Sequence, residues 1–228
     1  MIFTNENIEL QVEQVLLKYP NLKIIESNEK IIRLYGEILI HRVLHDFTLR
    51  RAYLVEVCIP LKDNKLPYVI DAGNVISPTY HHYYTNKQLC LETDSKIRIR
   101  FIDGFDLLIW MDEFVEPYFV SYEYYQLYGT FPNGERQHGI LGIAETYQDI
   151  FHTKDLAETY AVMQYVGSNK YRGHLPCPCG SSLKLRECHG EHLFPYFTDM
   201  RLRDILLDDL KTIERELRNA EKNSTKAK

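Results

Sequence analysis

The sequence lacks several features that would assign it to a secreted, membrane or nucleic-acid-binding class. It contains no run of 18 apolar residues, and its N-terminus has no basic segment followed by an apolar one, so we expect neither a membrane span nor a secretory signal. The formal net charge of -5 gives no overall cationic field for a phosphate backbone. These absences predict a cytoplasmic protein that binds no membrane and no nucleic acid directly.

Cysteine is also scarce, with five in 228 residues, and three of the five gather near the C-terminus. Cys177, Cys179, Cys188 and His189 supply three sulfur donors and one nitrogen donor within a short stretch, which is the ligand set of a tetrahedral zinc site. Such clustering indicates metal ligation rather than disulfides, in keeping with a reducing compartment. His192 is a competing histidine, but its spacing from Cys188 fits less well. We therefore predict one structural zinc ion, with His189 as its fourth ligand.

The string CPCGSSLKLRECHG around these ligands resembles the SEC-C motif, a short zinc-binding module whose usual form reads CPCGSGKKYKKCCG. His189 stands where the usual form has its last cysteine. The resemblance covers about a tenth of the chain, so it identifies a small module rather than the main activity.

The other two cysteines occupy different sequence surroundings. Cys58 lies in an alternating, β-branched run over residues 52–59, which predicts a buried cysteine on a strand. Cys90 ends a polar and aromatic segment that contains His81, His82 and Lys87. A histidine or lysine beside a thiol lowers its pKa and makes it a usable nucleophile. From the pattern alone, Cys90 is either such a nucleophile or a residue that packs in the core.

Hydrophobic periodicity predicts an α+β fold. The expected order is an amphipathic helix, a meander of three antiparallel strands, a loop that ends at Cys90, and further helices. The expected helices cover residues 5–18, 105–127 and 202–217, and the expected strands cover 31–43, 52–59, 68–70 and, after Cys90, 96–102.

The segment from Pro60 to Leu91, PLKDNKLPYVIDAGNVISPTYHHYYTNKQLCL, resembles the ubiquitin-conjugating enzymes, and in particular their prokaryotic relatives. The matching positions are Pro60, Pro67, His82 and the Leu-Cys-Leu step at Cys90. His82 has the offset of the asparagine in that family's His-Pro-Asn motif, and the motif itself is absent. A later stretch, GTFPNGERQHG at residues 129–139, is similar to one that follows in bacterial members.

This resemblance implies a ubiquitin-conjugating-like domain over residues 1–150. A helical linker, the SEC-C module at about 170–192 and a C-terminal helix would make up residues 151–228. The implied chemistry is acyl transfer, in which Cys90 carries a protein acyl group as a thioester and an amine then displaces it. His82 would donate a hydrogen bond to the oxyanion or move the proton, with Asn86 or His81 as substitutes.

The resemblance also suggests partners and a setting. The chain has no nucleotide-binding glycine loop, so another enzyme must activate the acyl group. Related stand-alone conjugating enzymes belong to antiphage CBASS operons, where a cGAS-like nucleotidyltransferase is conjugated, and a ubiquitin-like protein is the other expected acyl donor. Two alternatives stay open: a non-catalytic adaptor that uses the zinc module, and a cysteine peptidase that uses Cys90 with His138.

Overall fold

The computed structural model describes residues 7–44 and 46–226, with side chains described as far as residue 222. Two compact units divide the chain. The first comprises the residues up to Glu92 together with Asp103–Glu135, and the second comprises Thr93–Ile102 together with the chain from Arg136 onward. Each unit has its own set of packed elements.

The first unit is built on a four-stranded antiparallel sheet in the order β1-β2-β3-β4. Its elements are α1 (Ile8–Lys18), β1 (Leu22–Ser27), β2 (Ile31–Leu44), β3 (Phe47–Pro60), β4 (Tyr68–Asp71), α3 (Leu107–Trp110) and α4 (Glu116–Tyr128). Strand β2 alternates buried and exposed residues, because one face of the sheet packs on the helices. Leu34, Ile38 and Ile40 lie on that face with no exposed surface. The mixed α+β class predicted from the sequence is confirmed.

A single π-helical turn, Met111–Val115, joins α3 to α4, and Pro117 follows in the first turn of α4, where its missing N–H is tolerated. Asp112 within this turn and Glu116 directly after it both pair with Lys18 and Arg42. The buried Glu116 carboxylate also accepts a hydrogen bond from the Tyr19 hydroxyl at 2.5 Å. This network satisfies a carboxylate that would be costly to bury alone.

The second unit is helical and contains α2 (Asp94–Arg100), α5 (Gly139–Phe151), α6 (Leu156–Ser168), a short 3₁₀ turn (Leu185–Glu187), α7 (Gly190–Thr198) and α8 (Met200–Lys226). Its core joins large apolar side chains of α5 to α8 with Cys177 and Leu185 of the loop between α6 and α7. The Tyr147 hydroxyl donates a hydrogen bond to Asp209 at 2.7 Å, which ties α5 to α8. The loop that carries the predicted metal ligands is therefore part of a packed core.

One predicted element was wrong, and one strand was not predicted. Residues 96–102 were expected to form a strand because Ile97, Ile99 and Phe101 alternate with charged residues, yet they lie in and just after helix α2. Thr93 caps that helix by accepting from the Lys96 N–H, and the helix belongs to the second unit. The meander also has four strands rather than three, and the additional strand is β1, which was not predicted.

Other expectations agree with the structure, and one is left open. Helix α1, strands β2 to β4, the helix that begins near residue 105 and the C-terminal helix occur where predicted, apart from residues 5 and 6, which lie outside the described residues. The boundary near residue 150 between a conjugating-like domain and the C-terminal segments stays a prediction.

Candidate functional site

Residues 82–90 fold back on themselves as a narrow antiparallel hairpin. The Cys90 N–H donates to the His82 carbonyl at 3.0 Å, the Tyr84 N–H donates to the Gln88 carbonyl at 3.0 Å, and Tyr83 pairs with Leu89. Because side chains alternate across a ribbon, His82, Tyr84 and Cys90 lie on one face, and Tyr83 and Leu89 lie on the other. The hairpin therefore collects one thiol, one imidazole and one phenol on the same side.

The opposite face of the hairpin anchors it to the first unit. Leu89 is 2% exposed, and its N–H donates to the Val69 carbonyl of β4 at 2.9 Å. The Tyr118 hydroxyl of α4 donates to the His82 carbonyl at 3.0 Å. Backbone hydrogen bonds and a buried leucine thus hold the face that carries Cys90 in position.

The turn of the hairpin explains the role of Asn86. The Lys87 N–H donates to the Tyr84 carbonyl at 2.9 Å, and Lys87 has a left-handed φ of 66°. The Asn86 side chain accepts from the Gln88 N–H at 3.1 Å, which stabilises this turn. The Asn86 side chain therefore stabilises the turn of its own hairpin.

The Cys90 thiol is partly exposed and lies beside two polar side chains of its hairpin face. A ring nitrogen of His82 is within 4.8 Å of Cys90 Sγ, and the Tyr84 hydroxyl is 3.4 Å from the same sulfur. The His82 ring meets Tyr80 and Phe131 edge-on, with centroids 5.6 Å and 5.3 Å apart. His82 is therefore oriented by aromatic packing as well as by the backbone.

His81, the other predicted substitute, has a different contact. Its Nδ1 lies 3.0 Å from a carboxylate oxygen of Glu135, and 61% of its side chain is exposed. The residues predicted for the thiol chemistry are thus brought together in part: His82 adjoins Cys90, and His81 engages Glu135. On α4, Tyr118, Phe119 and Tyr122 are buried.

Cys58 is buried in β3 with 1% of its surface exposed, as predicted. Its thiol donates to Glu56 Oε1 at 3.1 Å, and burial together with this hydrogen bond raises the pKa of Cys58 to about 12. Such a thiol stays protonated near neutral pH and is out of reach of a protein acyl donor. In the first unit, only Cys90 has the exposure that a thiol nucleophile needs.

The second unit contains a separate cluster formed by Cys177, Cys179, Cys188 and His189, whose ligand atoms all lie within 4.8 Å of one another. His189 Nδ1 is 3.3 Å from Cys177 Sγ and 3.2 Å from Cys188 Sγ, and the sulfurs of Cys179 and Cys188 are 3.6 Å apart. Around a tetrahedral ion, sulfurs bound at about 2.3 Å lie about 3.8 Å apart, and sulfur and nitrogen lie about 3.5 Å apart. The donor set and its separations therefore fit a four-coordinate metal ion.

Local backbone geometry produces this cluster. The Cys177 N–H donates to the Leu183 carbonyl, and the Leu185 N–H donates to the Leu175 carbonyl, both at 2.8 Å, so the ligand loop closes as a small ribbon. Gly190 begins α7 directly after His189, and a Cβ atom there would lie 2.6 Å from the Leu185 carbonyl oxygen. Glycine is required at that position because the two backbone segments approach so closely.

Two thiols of the cluster have pKa values shifted in opposite directions. Burial raises the pKa of Cys177, which lies in the core. Burial opposes ionisation of Cys179 as well, but hydrogen bonds from Ser181 outweigh it and lower the Cys179 pKa. His192, the competing histidine, lies outside the cluster and packs its ring against His152 at 4.3 Å.

Glu158 of α6 is a neighbour of the cluster that the sequence did not reveal. Its Oε1 lies 3.7 Å from His189 Nε2, and the two side chains are 8% and 12% exposed. Since Nδ1 faces the sulfurs, the second ring nitrogen faces this carboxylate. A carboxylate beside the outer nitrogen of a metal-binding histidine commonly fixes its orientation and tautomer.

Comparisons with known proteins add one match. Residues 175–191 match the SEC-C motif, which includes all four members of the Cys/His cluster. No curated protein and no solved structure matches the chain. Among the helices of the described residues, none has the length and apolar character needed to cross a bilayer. The motif match therefore accounts for a short segment of the second unit.

Proposed function

We propose that this protein carries a protein acyl group as a thioester on Cys90 and transfers it to an amine, in the manner of a ubiquitin-conjugating enzyme. The hairpin of residues 82–90 is the observation that carries this proposal, because it presents a partly exposed thiol with an imidazole and a phenol on one face. The burial and raised pKa of Cys58 leave no competing thiol in the described part of the first unit.

The proposed chemistry has two displacement steps. Cys90 gives its proton to His82, and the thiolate attacks the carbonyl carbon of the activated acyl group, so that an S–C bond forms and the bond to the activating group breaks. The imidazolium then returns this proton to the departing activating group, so His82 is neutral again before the second step. In that step the amine nitrogen forms a C–N bond, the thiolate leaves, and the imidazole removes the amine proton. A histidine suits both proton transfers because imidazole titrates near neutral pH.

His82 is favoured over the other predicted groups by its contacts. Its ring adjoins Cys90, whereas His81 engages Glu135 and Asn86 supports the turn. A donor aimed at the oxyanion of such a step contributes about 10²-fold to 10³-fold in rate.

The proposed partners come from the sequence resemblance and from the chemistry. The element order of the first unit, a helix, an antiparallel meander, a thiol loop and a further helix, is compatible with a conjugating-enzyme fold. The acyl donor is proposed to be a cGAS-like nucleotidyltransferase, in antiphage defence, or a ubiquitin-like protein. A separate activating enzyme supplies the activated carboxyl group, and the proposed compartment is the cytoplasm.

The ion of the Cys/His cluster is proposed to be zinc. Three thiolates and one imidazole at tetrahedral separations suit zinc better than magnesium or calcium, which prefer oxygen ligands. With four protein donors, the site is closed and structural. It would stabilise the loop between α6 and α7 rather than take part in the acyl transfer.

The experiment for the proposed function is adduct formation. The protein is incubated with the nucleotidyltransferase and activating enzyme of its own operon, and the products are separated on gels with and without reductant. We expect a higher-mass band that reductant removes, that is absent with Cys90→Ala, and that persists with Cys58→Ala. Failure of the band to depend on Cys90 would contradict the proposal.

A non-catalytic adaptor is the second candidate, and the match of residues 175–191 to the SEC-C motif is the observation that favours it. In that case a partner would bind the metal module, and the Cys90 thiol would be dispensable. Wild-type cellular activity of Cys90→Ala at normal protein levels would support the adaptor and exclude the enzyme.

A further inference from the structure

The hairpin that presents Cys90 also presents a second polar group that the sequence did not single out. Tyr84 lies two residues after His82 on the same face, diagonally across the ribbon from Cys90. Its hydroxyl is 3.4 Å from Cys90 Sγ, which is within hydrogen-bonding distance for a sulfur acceptor. Half of the Tyr84 residue surface is exposed, so this contact lies where an incoming acyl group can reach the sulfur.

We propose that Tyr84 is a catalytic residue, whose phenol donates a hydrogen bond to the Cys90 thiolate. The inference rests on the proposed function for its role in turnover, although the contact with the thiol does not depend on it. A phenol keeps its proton up to about pH 10, whereas a thiol ionises near pH 8.5, so Tyr84 is still a donor when Cys90 is an anion. A hydrogen bond to a charged acceptor is stronger than one to a neutral thiol, so the contact favours the ionised form.

The same hydrogen bond acts in both steps of acyl transfer. When the thioester forms, the donor stabilises the attacking thiolate and enlarges the fraction of reactive sulfur at neutral pH. When the amine displaces the acyl group, the sulfur leaves as an anion, and the phenol is already beside it. Discharge should therefore depend on Tyr84 more strongly than loading does, because a more stable thiolate leaves more readily but attacks less strongly.

Other groups of the first unit that face Cys90 do not substitute for this phenol. His82 adjoins the thiol, but it is the group that takes the proton. Burial raises the pKa of both Tyr80 and Tyr118, so these phenols remain neutral across the working range, and the Tyr118 hydroxyl donates to the His82 carbonyl. The Tyr83 hydroxyl lies on the other face of the ribbon, 3.5 Å from Asp71 Oδ2.

Tyr84→Phe removes the hydroxyl and keeps the ring, and Tyr83→Phe is the matched control. The first measurement is the rate of alkylation of Cys90 between pH 5 and pH 10, followed by mass spectrometry of the Cys90 peptide. We expect the pH midpoint to rise by about one unit with Tyr84→Phe and to stay at the wild-type value with Tyr83→Phe. Equal midpoints for all three proteins would overturn the inference.

The second measurement is the discharge of a preformed thioester to free lysine in a single turnover. We expect Tyr84→Phe to slow discharge about tenfold and Tyr83→Phe to leave it unchanged. A shifted midpoint in a protein that never forms a thioester would contradict the proposed function and leave the Tyr84 contact established. A thioester that forms and discharges at wild-type rates in Tyr84→Phe would contradict the inference and leave the proposed function standing.

Discussion

Two regions of this protein each bring cysteine and histidine together, and they do so by different means. In the hairpin of residues 82–90, backbone hydrogen bonds and the buried Leu89 hold the loop, and Cys90 is left partly exposed. In the cluster of the second unit, the side chains converge on one another and Cys177 is buried in the core. The first arrangement leaves a thiol partly exposed, and the second places its thiols at separations that fit a bound metal ion.

Sequence spacing between cysteine and histidine does not by itself decide whether a cysteine is a nucleophile or a metal ligand. Within its own hairpin, Cys90 has the imidazole of His82 and the phenol of Tyr84 beside it. Cys179 and Cys188 have each other, Ser181 and His189 beside them, with sulfur atoms 3.6 Å apart. Thiols so close to one another repel when ionised, so a cation is needed to hold them as thiolates.

The largest expected effect is the loss of the metal ion from the cluster of the second unit. Cys177→Ser removes a buried ligand, so we expect metal content to fall from one ion per chain to nearly none and the second unit to loosen around Leu185 and Leu193. Metal analysis after purification without chelator measures the first effect, and hydrogen exchange measures the second. Cys58→Ala is the control and should retain one ion.

The alternative outcomes of that experiment are informative. Wild-type protein that contains no metal would contradict the assignment of the cluster. Loss of amide protection in the first unit to the same extent as in the second would contradict the view that the metal organises only the C-terminal part.

The next effect separates the two cysteines of the first unit. At pH 7 a thiol with a pKa of about 12 is ionised at about 1 part in 10⁵, whereas an ordinary thiol is ionised at about 3 parts in 100. We therefore expect an alkylating probe to label Cys90 more than about a thousandfold faster than Cys58 in the folded protein. Peptide mass spectrometry gives both rates. Similar labelling rates for the two residues would contradict the view that Cys58 is buried and protonated while Cys90 is accessible.

A smaller effect tests the imidazole beside the thiol. His82→Ala should still form some thioester but slow its formation or discharge about 10²-fold, because the proton acceptor and donor at the reacting sulfur is lost. His81→Ala is the matched control, since His81 engages Glu135. If single-turnover rates fall with His81→Ala and not with His82→Ala, the roles of the two histidines have been assigned the wrong way round.

The smallest effect concerns the carboxylate beside His189. Glu158→Gln keeps the shape of the side chain and removes its charge, so we expect metal affinity to fall about tenfold while one ion still binds. Competition with a chelator measures the affinity. Glu191→Gln, an exposed position on α7, is the control, and equal affinities for the two variants would show that Glu158 does not support the site.

The Cys/His cluster could be predicted because all four of its members come from one short segment. The four residues lie within 13 positions of one another, and a sequence motif is recognised from residue types and spacing alone. Glu158 lies on another helix, 31 positions before His189, so no local pattern links them. Tyr84 is close in sequence to Cys90, but its position beside the sulfur depends on the hairpin turn at Asn86 and Lys87.

The errors in the fold have similar physical causes. Residues 96–102 alternate apolar and charged side chains as a strand would, but Ile97 and Phe101 are also spaced four apart, and the Thr93 cap favours the helix. Strand β1 has only six residues with a bulge, and only Leu22 among them is buried, so it carries little alternation to recognise. Strand β2 alternates over much of its 14-residue length and was found, and β3 was found over residues 52–59 of its 14-residue length.

Trapping with Cys90→Ser tests most directly whether Cys90 carries a protein acyl group as a thioester. A serine hydroxyl forms an oxyester that survives reductant and discharges more slowly than a thioester. The variant is recovered from cells that express its own operon, and its adduct is digested and mapped by mass spectrometry. We expect an alkali-labile protein adduct on residue 90. An adduct found only on lysine, or no adduct with either cysteine or serine at position 90, would contradict the proposed function.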